Sequence, residues 1–201
     1  MTVIGITGPT GAGKTTALNE LVKLGGCIYD ADAVYHDLLK HNADLLRELE
    51  DRFGTLTDEQ GDFQRKKLGA IVFADPEALA DLNKISHRYV VAAIQEQLEE
   101  AEKQGIPCSA IDAIALFESG LDKLCRATVA ITAPPEIRVR RIMAREGISE
   151  EYARSRVAAQ NPDEFFTSQC GYTLVNDCAA PEEFASRAKA LFESILTQNN
   201  H

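Results

Sequence analysis

The stretch GITGPTGAGKTTALNEL, residues 5–21, decides the fold. Gly8, Gly13, Lys14 and Thr15 meet the pattern G-x-x-x-x-G-K-[ST] without a mismatch, and Gly11 adds a further glycine to the loop. The pattern lets backbone N–H groups from Gly8 through Thr16, Ala12 included, curl around phosphate oxygens, but only when the loop follows a strand and opens a helix. Both flanks are present. Residues 2–7, TVIGIT, are β-branched and apolar enough for a buried strand, while Ala17, Leu18, Leu21, Val22 and Leu24 have the spacing of a helix stripe that Gly25-Gly26 ends. Glycine brings the backbone close to an anion, and the helix start adds unpaired N–H groups with a favourable dipole. Lys14 would reach the β- and γ-phosphates of a nucleotide and Thr15 would hold Mg²⁺. A glycine-rich turn with a chance lysine would not bring eight matching positions and both flanks with it.

The rest of the composition fits one nucleotide-binding unit. A chain of 201 residues with 45% apolar content suits a single globular domain with small insertions. Its formal net charge of -10 opposes broad binding to a DNA or RNA backbone, whereas a small anionic substrate needs only a local basic patch. Cys27, Cys108, Cys125, Cys170 and Cys178 are odd in number and lack C-x-x-C spacing, which points to reduced thiols rather than a disulfide framework or a zinc site. The chain enters the phosphate-loop strand at once, and no apolar run approaches membrane-spanning length. The expectation is a soluble cytoplasmic protein, monomeric or weakly homo-oligomeric, that binds neither nucleic acid nor membrane.

Alternating strand-like and helix-like segments predict an α/β fold, a parallel sheet flanked by helices. A short second strand is expected at 26–30, helical spacing over Ala33–Arg52 and again over Asp75–Lys103, a strand in 106–114 and another at 127–133. Pro134-Pro135 would start an arginine-rich helix that Gly147 stops, Ser149 would cap the next helix, and Asn161-Pro162 would end it. YTLVN at 172–176 reads as the last strand, followed by a helix from about Pro181 to Leu196.

Guanine specificity is not expected, because the nearest string to N-K-x-D is Asn83-Lys84-Ile85-Ser86, which lacks the aspartate. Asp58-Glu59-Gln60-Gly61 matches D-x-x-G but sits in a polar loop rather than after a buried strand. A small kinase fits better: a helical insertion follows strand two and an arginine hairpin follows strand four, the places of an acceptor-binding part and a lid. Arg138, Arg140, Arg141, Arg145, Arg154 and Arg156 lie within nineteen residues that contain no lysine. Pairing with Glu136, Glu146, Glu150 and Glu151 on a solvated face accounts for Arg138 and Arg154. Arg141 and Arg145 stand four apart on one face, where planar guanidinium groups could meet triphosphate oxygens, and Arg156 could face them from the return helix.

Taken in order, further segments resemble the dephospho-coenzyme A kinase family over nearly the whole chain. They are YDAD at 29–32, GDFQRKKLGAIVF at 61–73, LNKISH at 82–87, DAIALFESGL at 112–121, RRIMAREGIS with SRVAAQ in the arginine hairpin, and Asn176 after the last strand. The chain departs from the family pattern at His36, where arginine is common, at Arg88 in place of proline, and at Ile114-Ala115 in place of Pro-Leu.

The resemblance implies transfer of the ATP γ-phosphate to the 3′-hydroxyl of dephospho-CoA, giving CoA and ADP. It also implies one P-loop kinase domain made of a core (1–32, 105–135, 166–201), an acceptor-binding insertion (33–104) and a lid (136–165). Asp32, placed at the end of strand two with Asp30 on the same face, would accept the hydroxyl proton, or else cap the following helix. Asp112, late in a buried strand, would act on Mg²⁺ through water, or else be a satisfied polar strand end. By resemblance, Arg141, Arg145 and Asn176 belong with Lys14 to the ATP site, and His36, Arg65, His87, Glu118 and Arg156 with Asp32 to the acceptor site. A kinase with another acceptor and a noncatalytic ATP-binding regulator remain the alternatives.

Overall fold

The computed structural model describes residues 1–198, so the last three residues of the expected core segment 166–201 lie outside the described residues. Five strands, β1 (Thr2–Thr7), β2 (Cys27–Asp30), β3 (Cys108–Asp112), β4 (Ala127–Thr132) and β5 (Tyr172–Val175), form one sheet in the order β2-β3-β1-β4-β5. The β1–β3, β1–β4 and β4–β5 ladders are parallel, with Ile4 beside Ala110 on one side and Ala127 on the other. This is the P-loop architecture expected from residues 5–21. Because β1 is central and flanked on both edges, its Ile4 and Ile6 are fully buried and the turn leaving it is anchored on a doubly bonded strand.

The chain divides into two compact units, Met1–Tyr29 with Glu100–His201, and Asp30–Glu99. In the first, α1 (Lys14–Lys23) and α9 (Pro181–Thr197) pack side by side against the sheet. Ala17, Leu18 and Leu21 of α1 join Phe184, Ala188, Phe192 and Ile195 of α9 over Ile4, Ile6, Val129 and Ile131, while Val22 points outward. Burying Phe184 and Phe192 completely contributes about 1.5–3 kcal/mol each, enough to hold a terminal helix that has no side-chain N-cap. The arginine-rich hairpin is α6 (Pro135–Glu146) and α7 (Glu150–Ala158), closed over Val139, Ile142 and Ala153. Gly147 turns the chain in the left-handed region at φ 65°, and Ser149 accepts the Tyr152 N–H as the α7 cap. A short helix α8 (Asp163–Thr167) precedes β5.

The second unit is helical: α2 (Ala31–His41), α3 (Ala43–Phe53), α4 (Arg65–Ala74) and most of α5 (Pro76–Lys103). Two expectations change here. The helical stretch expected over Ala33–Arg52 is broken at Asn42, whose extended backbone ends α2 and whose side chain accepts the Leu45 N–H to start α3. Residues 65–74 also form a helix that the sequence expectations left out; its buried Leu68 and Val72 lie four apart and pack with Leu45, Leu49 and Phe53. Asp58 accepts from Gln60 N, Asp62 N and Gln64 Nε2, so its D-x-x-G match is a tight polar turn. The five cysteines are free thiols, and no helix among the described residues is long and apolar enough to cross a membrane.

Candidate active site

Gly13 is the N-cap of α1 at φ 105° and offers no capping side chain, so the first N–H groups of the helix are left for a ligand. Two glycines of the loop are there by necessity. A Cβ on Gly8, at φ 139°, would fall 2.0 Å from the Ile131 carbonyl oxygen of β4, and one on Gly13 would fall 2.2 Å from Asn176 Nδ2. Gly11 packs likewise against the backbone of Arg138. Inside this curl Lys14 Nζ donates to Gly8 O at 3.0 Å and lies 4.0 Å from Asp112 Oδ1 at the carboxyl end of β3. Thr15 is exposed on the first turn of α1, and Thr16 donates its backbone N–H to Gly13 O.

The back of the loop is held by side chains. Asn176, buried directly after β5, donates Nδ2 to Ala12 O at 2.9 Å and accepts from Arg141 Nη2 at 2.9 Å. Arg141 Nη1 donates further to Gly11 O and Ala12 O at 3.2 and 3.3 Å. Burial lowers the pKa of Arg141, chiefly by desolvation, but a guanidinium stays charged in a protein. Thus Lys14, Asp112, Arg141 and Asn176 come together around residues 8–16.

Arg138 differs from its expected place on a solvated face. It is 3% exposed, donates Nε to Thr10 O at 3.0 Å and Nη2 to Gln160 Oε1 at 2.8 Å, and lies 3.8 Å from Asp163. The physical reason is its position on α6, one residue before Val139 and one turn before Ile142, which turns it inward with the helix's apolar side. Gln160, missed in the sequence, accepts the Thr10 N–H at 2.8 Å as well. Arg154 is exposed and bridges Glu136 and Glu150, as expected. Arg145 and Arg156 are joined through Glu146, one guanidinium on each carboxylate oxygen. Arg141 and Arg145 do not converge here: one reaches the loop and the other stays exposed.

Glu118 is exposed in the turn after β3, whose start is tied to β1 by the bond from Thr7 Oγ1 to Ile114 O. The remaining candidates belong to the helical unit. Asp32 neither ends strand two nor caps a helix: β2 ends at Asp30, whose carboxylate accepts the N–H groups of Asp32 and Ala33, so the cap lies two residues earlier. The unpaired N–H groups at the start of α2 need an acceptor, and Asp30 in extended conformation supplies it. Asp32 therefore stands exposed on the first turn of α2, one turn from the exposed His36. Arg65 is exposed at the start of α4, and His87 is half-buried in α5.

Among the described residues no group of three or more His, Cys, Asp or Glu is assembled to hold a metal alone. Thr15 and Asp112 instead offer hard oxygen donors, the set expected for a cation that keeps its waters and takes substrate phosphates as ligands.

The family model for dephospho-CoA kinase (CoaE) matches residues 2–182. A dephospho-CoA kinase from Dehalococcoides mccartyi is 38% identical over 179 residues, covering 89% of this chain and 90% of the relative. One from Corynebacterium diphtheriae is 33% identical, covering 98% and 99%. Among solved structures, a dephospho-CoA kinase from Campylobacter jejuni superposes with a TM-score of 0.69 at 27% identity, covering 98% of both chains.

Proposed function

Since the chain belongs to the dephospho-CoA kinase family, an ATP-dependent phosphotransferase family, we propose how its own residues divide the transfer of the ATP γ-phosphoryl group to the 3′-hydroxyl of dephospho-CoA. The observation that carries the assignment is the convergence of Lys14, Asp112, Arg141 and Asn176 on a loop whose glycines cannot be replaced.

Backbone N–H groups of Gly11, Gly13, Lys14 and Thr15 would take the β- and γ-phosphates at the α1 N-terminus, with the Lys14 ammonium as the point charge between them. Mg²⁺ bound with ATP would neutralise charge on the same oxygens; Thr15 would hold it directly and Asp112 through water. Arg141, which reaches the loop at Gly11 O and Ala12 O, would meet charge that develops on the transferred group, with Arg145 as supporting partner. Asn176 fixes both Ala12 and Arg141, so it serves the nucleotide through the loop. Asp32 orients the acceptor hydroxyl and takes its proton as it leaves. His36, Arg65 and His87 in the helical unit would bind the acceptor, as would Glu118 and Arg156 of the sheet unit; residues 33–104 are the acceptor-binding part and 136–165 the lid. The two small anionic substrates would be handled by a cytoplasmic monomer or weak homo-oligomer without a nucleic acid or membrane partner; the net charge of -10 supports the absence of broad binding to a nucleic-acid backbone.

ATP turnover by the purified protein, scanned over dephospho-CoA, nucleoside monophosphates and shikimate, tests this. ADP release that depends on dephospho-CoA and is absent with the others is expected. Release with another acceptor would reassign the substrate, and ATP binding without acceptor-dependent release would make the chain a regulator.

A further inference from the structure

We propose that Arg138 and Gln160 are positioning residues that hold the phosphate loop in its anion-binding curl by closing a ring of hydrogen bonds around Thr10. The ring runs from Thr10 N–H to Gln160 Oε1 at 2.8 Å, from Arg138 Nη2 to the same oxygen at 2.8 Å, and from Arg138 Nε to Thr10 O at 3.0 Å. Both backbone polar groups of one loop residue are thereby satisfied by two side chains, one from α6 and one just beyond α7. A single oxygen, Gln160 Oε1, takes two of the three bonds.

The Arg138 side chain has no room to do anything else. The Arg138 guanidinium is 4% exposed, and Asp163 at 3.8 Å partly offsets its burial, which by desolvation lowers its pKa. A buried cation of this kind is costly unless its donors are matched, so the loop and the arginine fix one another. The consequence falls on the residues that follow. Thr10 leads into Gly11, Ala12 and Gly13, a stretch whose glycines make it expensive to order. Asn176 pins that stretch at Ala12 O, and the ring pins it at Thr10, so the Gly11 N–H between them and the loop N–H groups that follow are aimed before ATP arrives. The same ring ties the loop to the end of α7, the return helix of the hairpin assigned as the lid.

The proposal rests on residues 8–16 being the ATP cradle, and the experiment separates the two. Gln160→Met keeps the size of the side chain and removes the shared acceptor. In that variant the Thr10 amide should exchange with deuterium at least about tenfold faster in nucleotide-free protein, and the KM for ATP should rise about tenfold, the scale of one lost hydrogen bond. kcat and the KM for dephospho-CoA should stay within about twofold. Gln160→Glu, which keeps an oxygen in place, should retain Thr10 protection. If Gln160→Met proves unstable, Arg138→Lys is read in the same way, since a lysine keeps the charge but not the two-pronged donor. Unchanged Thr10 exchange or an unchanged ATP KM would overturn the proposal, as would a loss spread equally over both substrates and matched by a lower Tm. The cradle stands or falls separately: ATP binding unaffected by Lys14→Ala would remove it whatever Thr10 does.

Discussion

Lys14 sits between a carbonyl and a carboxylate of its own unit, Gly8 O and Asp112, and needs nothing from the core. Lys14→Ala is therefore expected to leave the circular dichroism spectrum unchanged while kcat collapses; near-normal turnover would reject Lys14 as the phosphate clamp. Asp32→Asn should preserve ATP binding and lower kcat by about 10²- to 10⁴-fold, the usual scale of a lost general base. Retained turnover would leave Asp32 no catalytic role, and a stability loss is not expected because Asp30, not Asp32, caps α2. For the arginines, Arg141→Lys should be severely impaired although charge is conserved, because a lysine cannot donate at once to Ala12 O and Asn176 Oδ1. Arg154→Lys, in exposed ion pairs with Glu136 and Glu150, should be nearly silent in steady-state kinetics with dephospho-CoA. Equal activities would leave Arg141 no part in the transfer. Single residues were legible where the chemistry demands one type, as at Lys14 and Gly13. Arg138 was not, because four neighbouring glutamates make any arginine there look solvated, and only its register with Val139 and Ile142 tells otherwise.

Elements were legible where a cap or a breaker is explicit. Gly147, Ser149 and Pro181 mark their helix ends in the sequence and in the structure alike. The α2–α3 break was hidden because Asn42 caps the second helix within an unbroken apolar period, and α4 because a polar turn pinned by Asp58 precedes it. The start of α2 hangs on one carboxylate, so Asp30→Ala should cost about 1 kcal/mol and lower Tm by a few degrees, whereas Asp30→Ser should keep most of it. Thermal melts of the two variants decide this; equal Tm values would mean that the cap contributes nothing. Glu50 works in a similar way after α3, accepting the N–H groups of Leu56 and Thr57 and the Thr57 hydroxyl, with its carboxyl held below the usual range mainly by the Leu56 bond.

For the molecule as a whole, the alkaline limit of stability should reflect Cys125, whose thiol is pushed up to about 12, first by burial and then by the nearby Asp122 and Cys170. Its ordinary value is 9.0, so the unfolded chain loses this proton before the folded one does. The stabilisation is complete below about pH 9 and is lost as pH rises toward 12. Denaturant midpoints at pH 8 and 10.5 should therefore fall less steeply in Cys125→Ala than in the unaltered chain, and identical slopes would remove this cause. The sheet order holds a different consequence, for a chain emerging from the ribosome. β1 is the earliest strand of the sheet, yet both its neighbours, β3 and β4, are translated about a hundred residues later, after the entire helical unit. The loop at its end thus has no frame until most of the message has been read. Stalled nascent chains ending before β4 would hold residues 8–16 complete in sequence and still be unable to retain ATP.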